Sequence, residues 1–197
     1  MKSHLKADGI AMKEGTIINA TVTAAPSSTM NKIGERDPEV HQANKGNQCD
    51  QLSAEGYAYG MKVHIGVDKE KGLIHSEGTT AANVHDLTPA ADLLHGEETL
   101  VYADASYEGI EKPPEMDAKT IGFRVAMRPG KRRALPNRPE GRLDELVETV
   151  KDHIRARGEH PFRMIKQRFG FQKTCLWGML KNHGMVNVLW RLYSAYS

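Results

Sequence analysis

Very little in this chain suits a secreted, membrane-spanning or nucleotide-hydrolysing protein. Its 197 residues include only two cysteines, Cys49 and Cys175. That is too few for a disulfide framework or a cysteine zinc cluster, so a reducing cytoplasm is the expected compartment. No apolar run approaches membrane-spanning length, and Met1-Lys2-Ser3-His4 does not lead into a signal-peptide core. No GxxxxGKS or GxxxxGKT loop is present, which argues against a P-loop NTPase. There is no internal repeat. His64, His85 and His160 lack the close spacing of a zinc site and read as polar packing or substrate contacts.

What is present fits one soluble α/β domain. Hydrophobic residues make up 39% and charged residues 26%, as in globular chains. The net charge of +2 hides a division. Residues 1–118 hold 10 Lys+Arg against 19 Asp+Glu, net −9, whereas residues 119–197 hold 17 against 6, net +11. A basic half of this size suits a phosphate-binding surface, and an acidic half can carry metal ligands; an uneven solvated surface accounts for the division equally well.

Residues 1–14 (MKSHLKADGIAMKE) read as a frayed helical lead-in, and 15–197 as the main domain. GTIINATVTAAPSS is a strand running into a small-residue turn, with Asn19 as a poor strand former among apolar neighbours. The polar stretch from Thr29 to about Glu55 is long for an ordered connection, and 29–58 is expected to be a loop or insertion. YAYGMKVHIGVDKEKGLIHSEGTT is a hairpin turning at Lys71-Gly72. NVHDLTPAADLLHG is expected to be a helix capped by Asp86 or Thr88, TLVYADAS a strand ending in Asp104, and KTIGFRVAMRP a strand closed by Pro129-Gly130. GRLDELVETVKDHIRAR is an amphipathic helix with Leu143, Leu146, Val147, Val150 and Ile154 on one stripe. Phe162, Phe169, Phe171 and Trp177 read as core. This order can accommodate an RNase H-like sheet.

Acidic residues stand at strand ends and beside the helix: Asp68, Asp104 and Glu159, the last among Arg155, Arg157, Arg163 and Lys166. Carboxylates on a sheet rim bind Mg²⁺ through hard oxygens, and cations around an acid suit an anionic substrate. Each has a plainer reading as well. A lone Asp after a strand is commonly a turn or helix cap, and Glu159 equally suits a surface ion pair with Arg155 or Arg163. Arg128 to Arg142, with five arginines and one lysine, suits either a phosphate-tracking loop or a solvated one.

GTIINATVTAAPSSTMNK, RDPEVHQANKGNQ, YGMKVHIGVDKEKGLIHS, TTAANVHDLTPAADLLHGEE, VYADASYEGIEK and RGEHPFRMIKQRFGFQKT together resemble the DDE transposases of bacterial insertion sequences, in the IS4-like or family-five group. The resemblance runs from about Glu14 to the end. Its C-terminal signature is Tyr, two residues, Arg, three residues, Glu, six residues, Lys. Arg155, Glu159 and Lys166 keep three of these positions, and Asp152 stands at the Tyr position.

The resemblance implies an RNase H-like mixed sheet flanked by helices, with Asp104 and Glu159 as second and third catalytic carboxylates holding Mg²⁺ or Mn²⁺. Arg155 and Lys166 would contact transposon-end DNA, with Arg163, Lys131, Arg132 and Arg133 as further DNA-binding cations. The implied partners are transposon-end and target DNA, with a second copy or an intact relative, in a bacterial cytoplasm near the nucleoid. The first carboxylate belongs in a segment reading Asp-Ala-Thr, and here that segment is Asn19-Ala20-Thr21. An amide oxygen is neutral, so metal affinity and catalysis are expected to fall.

Further departures point the same way. The N-terminal helical region of family members is expected to be missing, CDQLSAEGYA (Cys49 to Ala58) interrupts a normally direct run, and Cys175 and Trp177 replace common basic residues. Two other expectations follow: a non-catalytic DNA-binding remnant that inhibits an intact transposase, or a metal nuclease in which Asp68 joins Asp104 and Glu159.

Overall fold

The computed structural model describes residues 15–26, 35, 37–44, 57–113 and 121–196. The lead-in over 1–14, Cys49 and most of the CDQLSAEGYA stretch lie outside the described residues. Six strands form one mixed sheet: β1 (Gly15–Ala24), β2 (His41–Asn44), β3 (Tyr57–Asp68), β4 (Ile74–Ala81), β5 (Leu100–Ala103) and β6 (Gly122–Val125). The order is β2-β3-β1-β5-β6, with β4 also paired to β3. β1, β3 and β4 run antiparallel in turn, while β1, β5 and β6 are parallel. Helices flank this sheet, which is the expected α/β, RNase H-like arrangement.

The hairpin forms as its alternation predicts. Asp68 accepts from the N–H groups of Glu70 and Lys71, and Gly72 takes a left-handed φ of 69° to turn the chain. β1 lies between β3 and β5 and is covered on both faces. Ile17 joins a core with Val63, Ile65, Tyr102, Phe162 and Trp190; its neighbour Ile18 joins a second core with Val101, Ala103, Leu93 and Tyr107. Trp190 is wholly buried, a side chain whose truncation costs about 3–5 kcal/mol.

Several elements differ from the sequence expectation. The polar stretch contributes an edge strand, β2, and its Asp37 and Glu39 accept from the N–H groups of Gly178 and Met179. These bonds satisfy the start of α3 (Met179–Tyr196), as helix N-termini require. The segment NVHDLTPAADLLHG forms turns and one 3₁₀ turn, Ala91–Leu93, rather than a helix. Its backbone is tied by side chains: His85 and His95 accept from Leu87 and Glu97, and Glu98 takes the N–H groups of His95 and Gly96. Pro129-Gly130 opens a five-residue helix, α1 (Pro129–Arg133), instead of closing β6.

The long helix α2 runs over Pro139–Arg163, so Glu159 lies inside it rather than past its end. Leu143, Leu146, Val147 and Val150 are exposed, whereas Gly141, Glu148, Gly158 and Phe162 face inward. Pro161 lacks the N–H that would bond back to Arg157, and the helix continues into one π-helical turn, Met164–Arg168. Trp177 is 40% exposed, while Phe162 and Phe171 are core as expected. Among the described residues, no helix is long and apolar enough to cross a membrane.

Candidate active site

Parallel pairing brings the first two expected positions together. β1 and β5 register Gly15 with Leu100, Thr16 with Val101 and Ile17 with Tyr102. Continued two residues past the last paired residues, this register leads from Ile17 to Asn19 and from Tyr102 to Asp104, which follows directly on β5. Asp104 keeps extended backbone (φ −79°, ψ 177°) as β5 ends. Ile17 and Tyr102 face the core under α2, so period-two alternation puts Asn19 and Asp104 on that face as well.

α2 supplies the third position by close approach. A Cβ on Gly158 would lie 2.7 Å from Ile17 Cγ2 and 3.8 Å from Asn19 Cβ. Only glycine lets the helix sit this low on β1, and Glu159 follows it directly. The close approach of Gly158 thus brings this stretch of α2 over the part of β1 that carries Asn19.

Their local chemistry differs. Asp104 accepts from Ser106 N–H at 2.9 Å and Ser106 Oγ at 2.5 Å, both on Oδ1. Oδ2 makes no hydrogen bond among the described residues. Glu159 is well exposed, with Arg155 Nη2 3.9 Å from its Oε1. Asn19 Oδ1 accepts from the N–H of Ala20 at 2.9 Å, so its one acceptor atom is already turned to its own backbone.

Asp86, by sequence only a possible helix cap, belongs to this neighbourhood. It pairs with Lys62 at 2.8 Å and lies within reach of Ser106, which links it to Asp104. Burial acts to raise its pKa, but the hydrogen bonds from Lys62 and Ser106 hold it below the usual carboxylate range. Lys62 and Asp86 also line a cleft of about 270 Å³. No spacing in the sequence marks Asp86 for this place, because Lys62 and Ser106 reach it from separate parts of the chain.

The expected cations divide by partner. Lys166, carried by the π-helical turn, donates to Thr21 Oγ1 at 2.7 Å and Val22 O at 3.1 Å, just beyond Asn19 on β1. Arg155 donates to Asp152 at 3.2 Å, and Asp152 also takes Arg132 at 2.5 Å. Arg132 is further held by Glu145, and Lys131 and Arg128 by Glu108. Arg163 donates to Gln167, and Arg133 is exposed. Much of the basic segment is thus neutralised within the chain.

Asp68 is placed elsewhere. It pairs with Thr16 at the opposite end of β1, about 10 Å from Asn19 along the strand, and is buried as the cap of the hairpin turn.

The oxygens of Asp104 and Glu159 suit a hard divalent cation in kind, and among the described residues no donor occupies Asp104 Oδ2. The third donor is a neutral amide that is already hydrogen-bonded. The residues therefore fit such an ion with one negative charge fewer than three acids would supply. The family model described as transposase DDE domain matches residues 11–193, spanning all three positions. No solved structure matches the chain.

Proposed function

The chain belongs to the transposase DDE domain family, and we propose that it is the catalytic domain of an IS4-like insertion-sequence transposase whose chemistry is impaired at its first acidic position. The observation that supports this reading is the parallel pairing of β1 with β5 just before Asn19 and Asp104, together with the close approach of Gly158, the neighbour of Glu159, to Ile17 and Asn19. Asp104 and Glu159 would hold a divalent cation, Mg²⁺ or Mn²⁺, which supplies Lewis acidity at a phosphodiester and a water or 3′-hydroxyl of lowered pKa. Ser106 fixes the Asp104 carboxylate, and Lys166 holds Thr21 and Val22 just beyond Asn19 on β1. Arg155, Arg163 and Arg133, with Lys166, Lys131 and Arg132 when they exchange partners, would track transposon-end and target DNA. The protein works on DNA in the cytoplasm, as a homo-oligomer or beside an intact relative.

The test is cleavage of supercoiled plasmid and end-containing duplex with Mg²⁺ or Mn²⁺, comparing the chain with Asn19→Asp. Cutting by Asn19→Asp alone supports the reading, whereas equal cutting by both refutes the impairment. A second reading rests on the net +11 of residues 119–197: a non-catalytic DNA-binding remnant. Salt-sensitive DNA binding with no cutting by either protein favours it.

A further inference from the structure

On the sheet face opposite Ile17 and Asn19, three metal-ligating side chains meet at a buried site. His75 starts from β4, and its ring lies across Gly66 of β3, where a Cβ would come within 2.7 Å of His75 Cε1. That missing side chain lets the ring reach past β3 to β1, where Thr16 Oγ1 is 3.2 Å from His75 Nε2. His95 and Glu98 come from the segment between the 3₁₀ turn and β5. Thr16 Oγ1 also donates to Glu98 Oε1 at 3.3 Å, and the two imidazoles meet edge to face with centroids 5.0 Å apart. One ligand atom from each of His75, His95 and Glu98 lies within 4.8 Å of the other two.

Burial makes this arrangement demanding. Thr16, His75 and Glu98 are at most 4% exposed, and the His95 side chain is 2% exposed. Among the described residues His95 Nε2 makes no hydrogen bond, although Glu98 Oε1 is 3.5 Å away. A buried imidazole nitrogen without a partner is costly, and so is a carboxylate drawn out of water. A cation between them removes both costs.

We propose that His75, His95 and Glu98 bind a structural Zn²⁺ ion, with the Thr16 hydroxyl beside the fourth position. Two imidazoles and a carboxylate form a zinc-type donor set, and imidazole discriminates against Mg²⁺. The supporting contacts of His75 and Glu98 are already built, whereas ligation through His95 Nε2 puts the proton on Nδ1 and so gives up the 3.3 Å bond that Nδ1 accepts from Glu97 N–H. Ser76 Oγ engages His75 Nδ1 at 2.9 Å and so presents Nε2 to the pocket. The N–H groups of His95 and Gly96 hold the two oxygens of Glu98. At bond lengths of about 2.0–2.1 Å the ligand atoms sit about 3.3 Å apart, so with separations within 4.8 Å no pair needs to close by more than roughly 1.5 Å through side-chain rotation. The ion would tie residues 94–99 to β1 and β4, immediately before the strand that ends in Asp104. Water exclusion makes it a fixed cross-link rather than a hydrolytic centre. The proposal stands independently of any transposition chemistry.

The experiment is metal loading of the full chain. After chelation the protein is supplied with Zn²⁺, or Co²⁺ as a spectroscopic probe, under excess Mg²⁺. The expected result is one equivalent of Zn²⁺ retained through gel filtration, a Co²⁺ visible band of four-coordinate intensity, and a melting point raised by Zn²⁺ but not by Mg²⁺. His95→Gln and Glu98→Gln lose the equivalent and the band, while Asp104→Asn keeps both. A folded parent chain that retains no Zn²⁺ overturns the proposal, and this result needs no variant. So does retention by both His95→Gln and Glu98→Gln, or loss in Asp104→Asn.

Discussion

Gly158 of α2 faces Asn19 of β1 so closely that a Cβ on the glycine would stand 3.8 Å from the asparagine Cβ and 2.7 Å from Ile17 Cγ2. This contact sets the height of α2 over the sheet, and therefore the position of Glu159.

Gly158→Ala is accordingly expected to destabilise the fold by about 1–3 kcal/mol, because the added methyl overpacks Ile17. Inside an ordinary helix the same change is stabilising by about 0.5–1 kcal/mol, so the sign is diagnostic. Urea unfolding of the two proteins measures it. A stabilised Gly158→Ala would mean that α2 does not approach β1 this closely.

Much of this architecture was legible in the residues. The alternation in β3, the Lys71-Gly72 turn and the β-branched β1 define the hairpin and the central strand. Periodicity found α2 but only part of its inward face: Ile154 packs against the core as the stripe implies, while Gly141, Glu148 and Gly158, which carry no apolar signal, are buried with Phe162 in place of Leu143, Leu146, Val147 and Val150. Glu148 is held there by Lys151 at 2.6 Å and the N–H of Met127 at 2.7 Å. The segment after β4 contains helix formers, yet its amides are claimed by His and Glu side chains, and that tertiary choice leaves no local pattern. Asn19, Asp104 and Glu159 could be named from the resemblance, but the pairing of β1 with β5 and the close approach of Gly158 to β1 could not be read from the residues. His75, His95 and Glu98 were invisible as a group, since Gly66 brings them together across three strands.

Asp152 stands where the family signature has a tyrosine, and it accepts from both Arg132 and Arg155. Asp152→Asn should release these guanidinium groups toward phosphates. The slope of log affinity for duplex DNA against log salt should steepen by about one contact. Stability should change by less than about 1 kcal/mol, as these are partly exposed pairs. Fluorescence anisotropy over a salt series reads the slope, and an unchanged slope contradicts the assignment.

His64 is buried on β3, with Nε2 2.8 Å from Thr80 Oγ1. Burial lowers its pKa from 6.5 to about 4, with Asp86 opposing and Lys62 reinforcing the shift. The unfolded chain therefore takes this proton first, and the contribution of His64 to stability is lost as pH falls from 6.5 through 4. Glu77 acts in the opposite direction. Burial raises its pKa to about 7 against the pull of Arg191 and Asn187, so its contribution is present below 4.5 and lost as pH rises through 7. Comparing the parent with His64→Asn isolates the histidine. The parent should lose up to roughly 3 kcal/mol more than the variant between pH 6.5 and 4. Parallel denaturation curves at both pH values would contradict the placement of His64.

The proposed carboxylate site carries a neutral amide, Asn19, where the resemblance places its first acid. The most direct measurement of that deficit is Mn²⁺ affinity, by calorimetry or electron paramagnetic resonance, for the parent, Asn19→Asp, and Asn19→Asp combined with Asp104→Asn. A carboxylate at position 19 should tighten binding about ten-fold or more, and the added Asp104→Asn should abolish the gain. Equal Mn²⁺ affinity in the parent and Asn19→Asp would contradict this, because position 19 would then share no metal site with Asp104.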